Sequence, residues 1–259
     1  MTRPEPDFQL KLVETEVELQ AAQRLRYRVF VEELGGSGAL VDHDTRLERD
    51  RFDPFFDHLI LIDNALDVAK IDRVVGVYRL LRQEPANRAG QFYSEDEYDL
   101  TVLKTSGRKL LELGRSCLDK DYRGGAAMFH LWNGLADYVA DHEIEVLFGV
   151  ASFHGTDIDA LAQPLSLLHS RHLAPSDLRV RAQDTHFQRM DLVPEPDIDR
   201  RAAMLQVPAL IKAYLRLGGF VGEGAYIDRP FNTTDVCLIM DTQRMNAKNK
   251  ALYTKGRAL

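Results

Sequence analysis

Hydrophobic and polar positions alternate near the start of the chain, where Phe8, Leu10 and Leu12 are separated by Gln9 and Lys11. A period of two predicts a first strand, because successive side chains of a strand point to opposite faces. The period then lengthens. Leu19, Ala22, Leu25, Val29 and Phe30 recur at helical spacing, which predicts a helix to about Glu33, ended by Gly35, Gly36 and Gly38. A polar, acid-rich loop follows to about Pro54. Leu59–Ile62 and Val74–Leu81 are apolar runs with a turn-like gap between them, the pattern of a hairpin. Residues 82–106 are polar and read as loop. Leu110–Leu118 predicts a strand running toward a glycine turn at Gly124 and Gly125, Ala126–Ala140 a helix, and Val146–Ala151 a buried strand. Asp157–His169 reads as a helix despite Pro164, with Thr156 as its N-cap. Residues 182–203, rich in proline and charge, form an expected excursion. Ala209–Leu217 predicts a helix stopped by Gly218 and Gly219, and Val236–Met240 a final strand. This order predicts one α/β (α+β) domain over residues 1–259: a mixed, mostly antiparallel sheet flanked by helices, with a C-terminal elaboration.

Composition narrows the class. With 259 residues, 45% of them hydrophobic, the chain can bury one large core. No run approaches the roughly 18 apolar residues that a membrane-spanning helix needs. The segment from Met1 to Asp7 is polar, proline-bearing and acidic, unlike a signal peptide, so a cytoplasmic location is expected. Cys117 and Cys237 stand in separate apolar segments without CxxC spacing, which favours buried thiols over a disulfide or a metal site. A net charge of −7 speaks against general nucleic-acid binding. The charge is uneven, because Thr242–Leu259 carries Arg244, Lys248, Lys250, Lys255 and Arg257 and no acid. Such a tail is either solvated or touches an anionic surface, which would make the protein peripheral on the inner face of the cytoplasmic membrane.

Four segments carry candidate chemistry. Arginines at 24, 26 and 28 cannot all share a buried helix face; they form a solvated basic face or a clamp for a carboxylate or phosphate. In Phe52–Leu59, Asp53, Asp57 and His58 flank aromatic residues before an apolar strand, an arrangement that binds an ammonium group or simply caps the loop. Metal binding would need further ligands there. Glu112 interrupts the apolar run Leu111–Leu118, which is costly unless it is paired, with Arg115 as the nearby partner, or functional. Alternation places it on a face shared with Gly114 and Ser116, small residues that leave open space, the setting a general base requires. In Asp121–Ala127, small residues before a helix let backbone NH groups face a phosphate.

Together these segments resemble the GNAT-type acyltransferases, and two acyl-carrier-protein-dependent branches in particular. Acyl-homoserine-lactone synthases carry Arg-x-x-x-Phe, here Arg26 and Phe30; acids in the next loop, here Asp53 and Asp57; a strand arginine, here Arg79; and Glu-x-x-Arg, here Glu112 and Arg115. The wider similarity, over about residues 20–240, is to the L-ornithine Nα-acyltransferases. It includes Phe148–Thr156, Ala213–Gly219 and Phe231–Val236. Two departures stand out. The phosphate-loop signature that begins at Arg123 has Ala126 and Met128 at its last two marked positions, and Gly36 stands where the lactone synthases have Trp. The resemblance implies transfer of a 3-hydroxyacyl group from acyl carrier protein to the α-amine of L-ornithine, giving lyso-ornithine lipid. It implies no metal and no permanently bound cofactor, since the 4′-phosphopantetheine arm arrives with the donor. In that scheme Glu112 is the base, assisted by Arg115, and backbone NH groups over Arg115, Ser116, Cys117 and Leu118 hold the thioester oxygen. Arg123, Gly124, Gly125 and Ala126 seat the pantetheine phosphate. Arg26 or Arg79 holds the acceptor carboxylate, Asp53 or Asp57 its δ-ammonium, and Phe30 and His58 complete the acceptor site. The alternatives are an acyl-homoserine-lactone synthase or a non-catalytic module that binds acyl carrier protein or a membrane.

Overall fold

The structure, a computed structural model, describes residues 5–245. In chain order its elements begin with β1 (Phe8–Leu12), α1 (Glu16–Arg26), β2 (Asp57–Asp63), β3 (Val74–Arg82), α2 (Gln83–Ala89), β4 (Tyr98–Asp99), α3 (Thr101–Lys104) and β5 (Leu110–Leu118). They continue with α4 (Ala127–Asp141), β6 (Val146–His154), α5 (Ile158–His172), β7 (Arg181–Ala182), β8 (Phe187–Gln188), α6 (Arg200–Gln206) and α7 (Ala209–Arg216). The last are β9 (Phe220–Val221), β10 (Ala225–Asp228) and β11 (Thr233–Asp241). Two compact units result. One comprises the chain to Gly90 with Leu113–Glu143, and the other Gln91–Glu112 with the chain from Ile144. β5 passes from the second into the first.

In the first unit the strand order is β1-β2-β3-β5. The predicted β2–β3 hairpin is present, antiparallel from Asp57↔Leu80 to Ile62↔Val74, with a register shift at Leu61/Ile62. α1 starts at a capping box. The Thr15 hydroxyl accepts from Glu18 N, and the Glu18 carboxylate accepts from Thr15 N, both at 3.3 Å, so two orphan donors are satisfied. The helix continues as π-helical turns over Tyr27–Glu33. Its apolar stripe, Ala21, Ala22, Leu25 and Val29, packs on Ile60, Val74, Val77 and Cys117. α4 packs on β1, β2 and β3, and needs glycine to do so. A Cβ at Gly134 would lie 2.3 Å from Leu10 Cδ2.

In the second unit β5 is parallel to β6 over Leu110–Glu112, and β11 is antiparallel to β6 along its whole length. β10 and β8 extend the sheet beyond β11, and β9 also pairs with β11. The α5 N-cap is Asp157, not Thr156: its carboxylate accepts from Asp159 N and Ala160 N. The expected excursion over 182–203 is tied down. The Ser166 hydroxyl accepts from Leu192 N and Val193 N and donates to Met190 O, which fixes the segment to α5. The polar stretch 82–106 is not plain loop; it folds into α2, β4 and α3. Of the basic tail, Lys248, Lys250, Lys255 and Arg257 lie outside the described residues. Arg244 is paired with Asp177 and Asp241.

Candidate active site

In the first unit three arginines and three carboxylates from four chain segments form one network. α1 supplies Gln23 and Arg26, the following loop Glu48, Asp50 and Asp53, β3 Arg79 and β5 Arg115. Arg26 donates to Asp53 through Nη1 at 2.6 Å and to Glu48 through Nε at 2.5 Å. Arg79 Nη1 donates to Asp53 at 2.8 Å and to Asp50 at 2.7 Å. Arg115 Nε donates to Glu48 at 3.1 Å, and its Nη2 lies 3.7 Å from Asp50. Gln23 Nε2 adds a bond to Asp53 at 3.0 Å. The formal charges of these six ionic side chains cancel, which is how a group of charges is tolerated where Arg26 and Arg79 are wholly buried and Glu48 and Asp53 nearly so. Aromatic rings line the cations, with Phe56 at 4.3 Å from the Arg79 guanidinium and Phe30 at 5.7 Å from that of Arg115.

The electrostatics follow from this packing. Burial alone would raise the Asp53 carboxyl, but the Arg26 and Arg79 guanidiniums outweigh it and hold the group well below the usual carboxylate range. Glu48 is depressed in the same way, burial being overcome by Arg26, Arg115 and Arg79. His58 goes the other way: burial pushes its imidazole down to about 4 against the pull of Asp53, so the ring is neutral at pH 7. Its Nε2 contacts the Asp53 carbonyl oxygen at 3.0 Å.

Several expected roles change. Arg26 and Arg79 are fully buried and matched to protein carboxylates, so neither presents a surface to an acceptor carboxylate. Asp57 joins a different cluster, accepting from Tyr138 Oη at 2.5 Å and Arg82 Nη2 at 3.3 Å. Glu112 is 1% exposed. It accepts from Tyr93 N at 2.7 Å, Ser94 N at 2.6 Å and the Ser94 hydroxyl, so it anchors the turn at 93–94 rather than facing an open space. The room beside Gly114 is taken by Arg79 and Phe56, each 3.8 Å from where a Cβ would stand. Arg115 adopts a left-handed φ of 47° in mid-strand, which breaks the alternation on which the expected face assignment rested. Its carboxylate partners in this network are Glu48 and Asp50. Gln23, Glu48 and Asp50 were missed, because nothing local distinguishes Glu48 and Asp50 from the other charges of a solvated loop.

Two clefts border these elements. One, of about 950 Å³, is lined by Glu16, Gln23, Asp42, His43, Asp44, Arg49, Asp50 and Asp53, with Leu19, Ala39, Leu40, Val41 and Pro54 as apolar wall. The other, of about 440 Å³, lies at the start of α4 against Phe8, Tyr122, Arg123, Gly125, Ala126 and His130. Ala126 caps α4 without a side-chain hydrogen bond, and no acid occupies the first turn, so its NH groups suit an anion such as a phosphate. Gly124 has φ +78°, which a side chain would strain. Arg123 does not aim freely into this cleft: its guanidinium donates to Leu118 O at 3.0 and 3.1 Å and to Glu33 at 2.8 Å. Ser116 is part-exposed, whereas Cys117 and Leu118 are buried, and burial pushes the Cys117 thiol up to about 12, an inert group. In the second unit Glu97 meets Asp228 and Asp235 of the β10–β11 hairpin, their carboxylate oxygens within 4.8 Å of one another, a set of hard donors of the Mg²⁺ or Ca²⁺ kind. Among the described residues no helix is long and apolar enough to cross a membrane.

Comparison with known proteins agrees with this picture. Residues 25–133 match the family model described as acetyltransferase (GNAT) domain. The chain is 62% identical to an L-ornithine N(alpha)-acyltransferase of Rhodobacter capsulatus, covering 96% of this chain and 95% of that protein. It is 43% identical to the Brucella abortus protein of the same name, over 95% and 88%. Among solved structures it is similar to the AHL synthase LasI, with a TM-score of 0.51 at 14% identity over 97% of this chain and 96% of that one. It is also similar to FeeM, an N-acyl amino acid synthase from uncultured soil microbes, at 0.50 and 12% over 93% and 95%. Likeness at such identities is one of fold, and the mixed sheet with flanking helices is the fold expected from the sequence.

Proposed function

The chain belongs to the L-ornithine N(alpha)-acyltransferases, N-acyltransferases of the GNAT fold, and from that premise we propose that it moves a 3-hydroxyacyl group from acyl carrier protein to the α-amine of L-ornithine, giving lyso-ornithine lipid. The observation that carries the acceptor is the acidic cleft beside the arginine–carboxylate network, because L-ornithine keeps a cationic side chain throughout acylation at its α-amine. Asp50 lines that cleft and is part-exposed, held in place by Arg79 and Arg115, which makes its carboxylate the candidate to hold an ammonium group. The uncapped start of α4 and Gly124–Ala126 suit the phosphate of a 4′-phosphopantetheine arm, held by backbone NH groups. The β5 backbone around Arg115 is the candidate for holding the thioester oxygen as charge develops. Glu112 and Arg115 then act by positioning, the first through the turn at 93–94 and the second through Glu48 and Asp50.

Mass spectrometry of lipids from cells expressing the chain tests this reading, with a new ornithine-linked 3-hydroxyacyl amide as the expected product. Formation of an acyl-homoserine lactone from S-adenosylmethionine instead would overturn the acceptor. Equal catalytic efficiency with the matching acyl-coenzyme A would overturn the carrier-protein donor.

A further inference from the structure

The 950 Å³ cleft of the first unit is acidic, with Glu16, Asp42, Asp44 and Asp50 among its lining residues, yet it contains one guanidinium, that of Arg49. Arg49 differs from the arginines of the buried network. Arg26 and Arg79 are 0% exposed and Arg115 16%, whereas the Arg49 side chain is 44% exposed. A single donor of its guanidinium, Nη2, is engaged, with Asp42 Oδ2 at 3.1 Å. An arginine has five N–H donors in a planar fork, so the remaining ones stay open to a ligand in the cleft.

The acceptor reading above, on which this inference rests, puts a free amino acid in the cleft. L-Ornithine carries two ammonium groups and one carboxylate, a pattern whose signs are opposite to those of the lining. Its ammonium groups suit the acids. Its carboxylate needs a donor among those acids, since like charges at contact cost several kcal/mol. His43 also lines the cleft, but its Nδ1 is already in contact with the Tyr27 hydroxyl at 2.9 Å, which leaves Arg49 as the guanidinium placed for that role. We infer that Arg49 holds the α-carboxylate of the acceptor and is thereby a specificity-determining residue, separating amino acids from diamines and amino esters that share the same amine. Arg26 and Arg79 are unsuited to this role, because both are 0% exposed and already pair with Glu48, Asp50 and Asp53.

The test compares L-ornithine with L-ornithine methyl ester, which keeps both amines and loses the anionic carboxylate. Steady-state kinetics are measured on the full chain and on Arg49→Gln and Arg49→Lys, with whichever thioester donor the parent chain uses. Loss of a charge-assisted contact predicts that Arg49→Gln raises the L-ornithine KM about 10- to 100-fold with kcat within about threefold. Arg49→Lys recovers part of the loss, since it restores the charge without the fork. For the methyl ester, parent and Arg49→Gln should agree within about twofold, because the contact in question is absent in both. An equal loss on both substrates, or none on L-ornithine, overturns the inference while leaving the acceptor reading intact. A parent chain that does not acylate L-ornithine overturns that reading and this inference with it.

Discussion

Replacing Glu112 by Gln separates a carboxylate that anchors from one that catalyses. Glu112 is 1% exposed and accepts three hydrogen bonds, from Tyr93 N, Ser94 N and the Ser94 hydroxyl. A hydrogen bond to a charged group contributes about 1.5–3 kcal/mol and one between neutral groups about 0.5–1.5, so neutralising this acceptor costs roughly 1 kcal/mol per bond. Glutamine also turns an NH₂ toward one of two backbone NH groups, and the donor left unsatisfied adds about 1–3 kcal/mol. The sum, about 4–6 kcal/mol, is a large share of a typical domain stability of roughly 5–15 kcal/mol. At about 2–4 °C per kcal/mol, the melting temperature should fall by roughly 8–24 °C. The assay is thermal unfolding followed by circular dichroism, paired with turnover measured well below both midpoints. An anchoring role predicts turnover of the folded variant within about tenfold of the parent. A parental midpoint together with a ~100- to 10,000-fold fall in turnover, the usual loss on removing a general base, would refute the anchoring account and restore Glu112 as the base.

Asp53→Asn should lower stability by about 3–5 kcal/mol, because it leaves the buried Arg26 and Arg79 short of a counter-charge; an unchanged urea midpoint would contradict this. His58 makes stability depend on pH. Its imidazole titrates at about 4 in the folded chain and near 6.5 when unfolded, so between those values the unfolded chain binds the extra proton. Stability should therefore fall as pH drops from about 6.5 to 4, by on the order of 3 kcal/mol, and the depressed Asp53 carboxyl extends the loss to lower pH. Urea unfolding at intervals across that window measures it, and His58→Gln should flatten the upper part; an equally steep curve for the variant would remove His58 as the cause. Gly134→Ala should destabilise by about 1–3 kcal/mol through overlap with Leu10, although alanine is the better helix former by about 1 kcal/mol. A midpoint raised by that substitution would show that α4 is not closely seated on β1.

The sequence by itself determined the elements whose signals are local. Alternation at Phe8–Leu12 and the apolar runs at 59–62, 74–81 and 110–118 became strands, and the 3.6-residue stripe from Leu19 became α1, because side-chain periodicity and backbone geometry are coupled within a few residues. Arg26, Asp53 and Arg79 were singled out by residue type, and these three meet in the buried network, which Arg115 joins through Glu48. What each does was decided only by tertiary structure. Two arginines fully removed from water require carboxylates at contact distance, and the folded chain finds them in Glu48 and Asp50, loop residues that no periodicity distinguishes. The left-handed turn of Arg115 undoes the face assignment that strict alternation would make for the end of β5. Asp57 and Glu112 went to other partners, Tyr138 with Arg82 and the turn at 93–94, since a carboxylate satisfies whichever donors the fold brings nearest. The size and sign of the acidic cleft likewise depend on bringing Glu16 of α1 beside a loop some 30 residues later, a long-range contact that hydrophobic pattern does not encode.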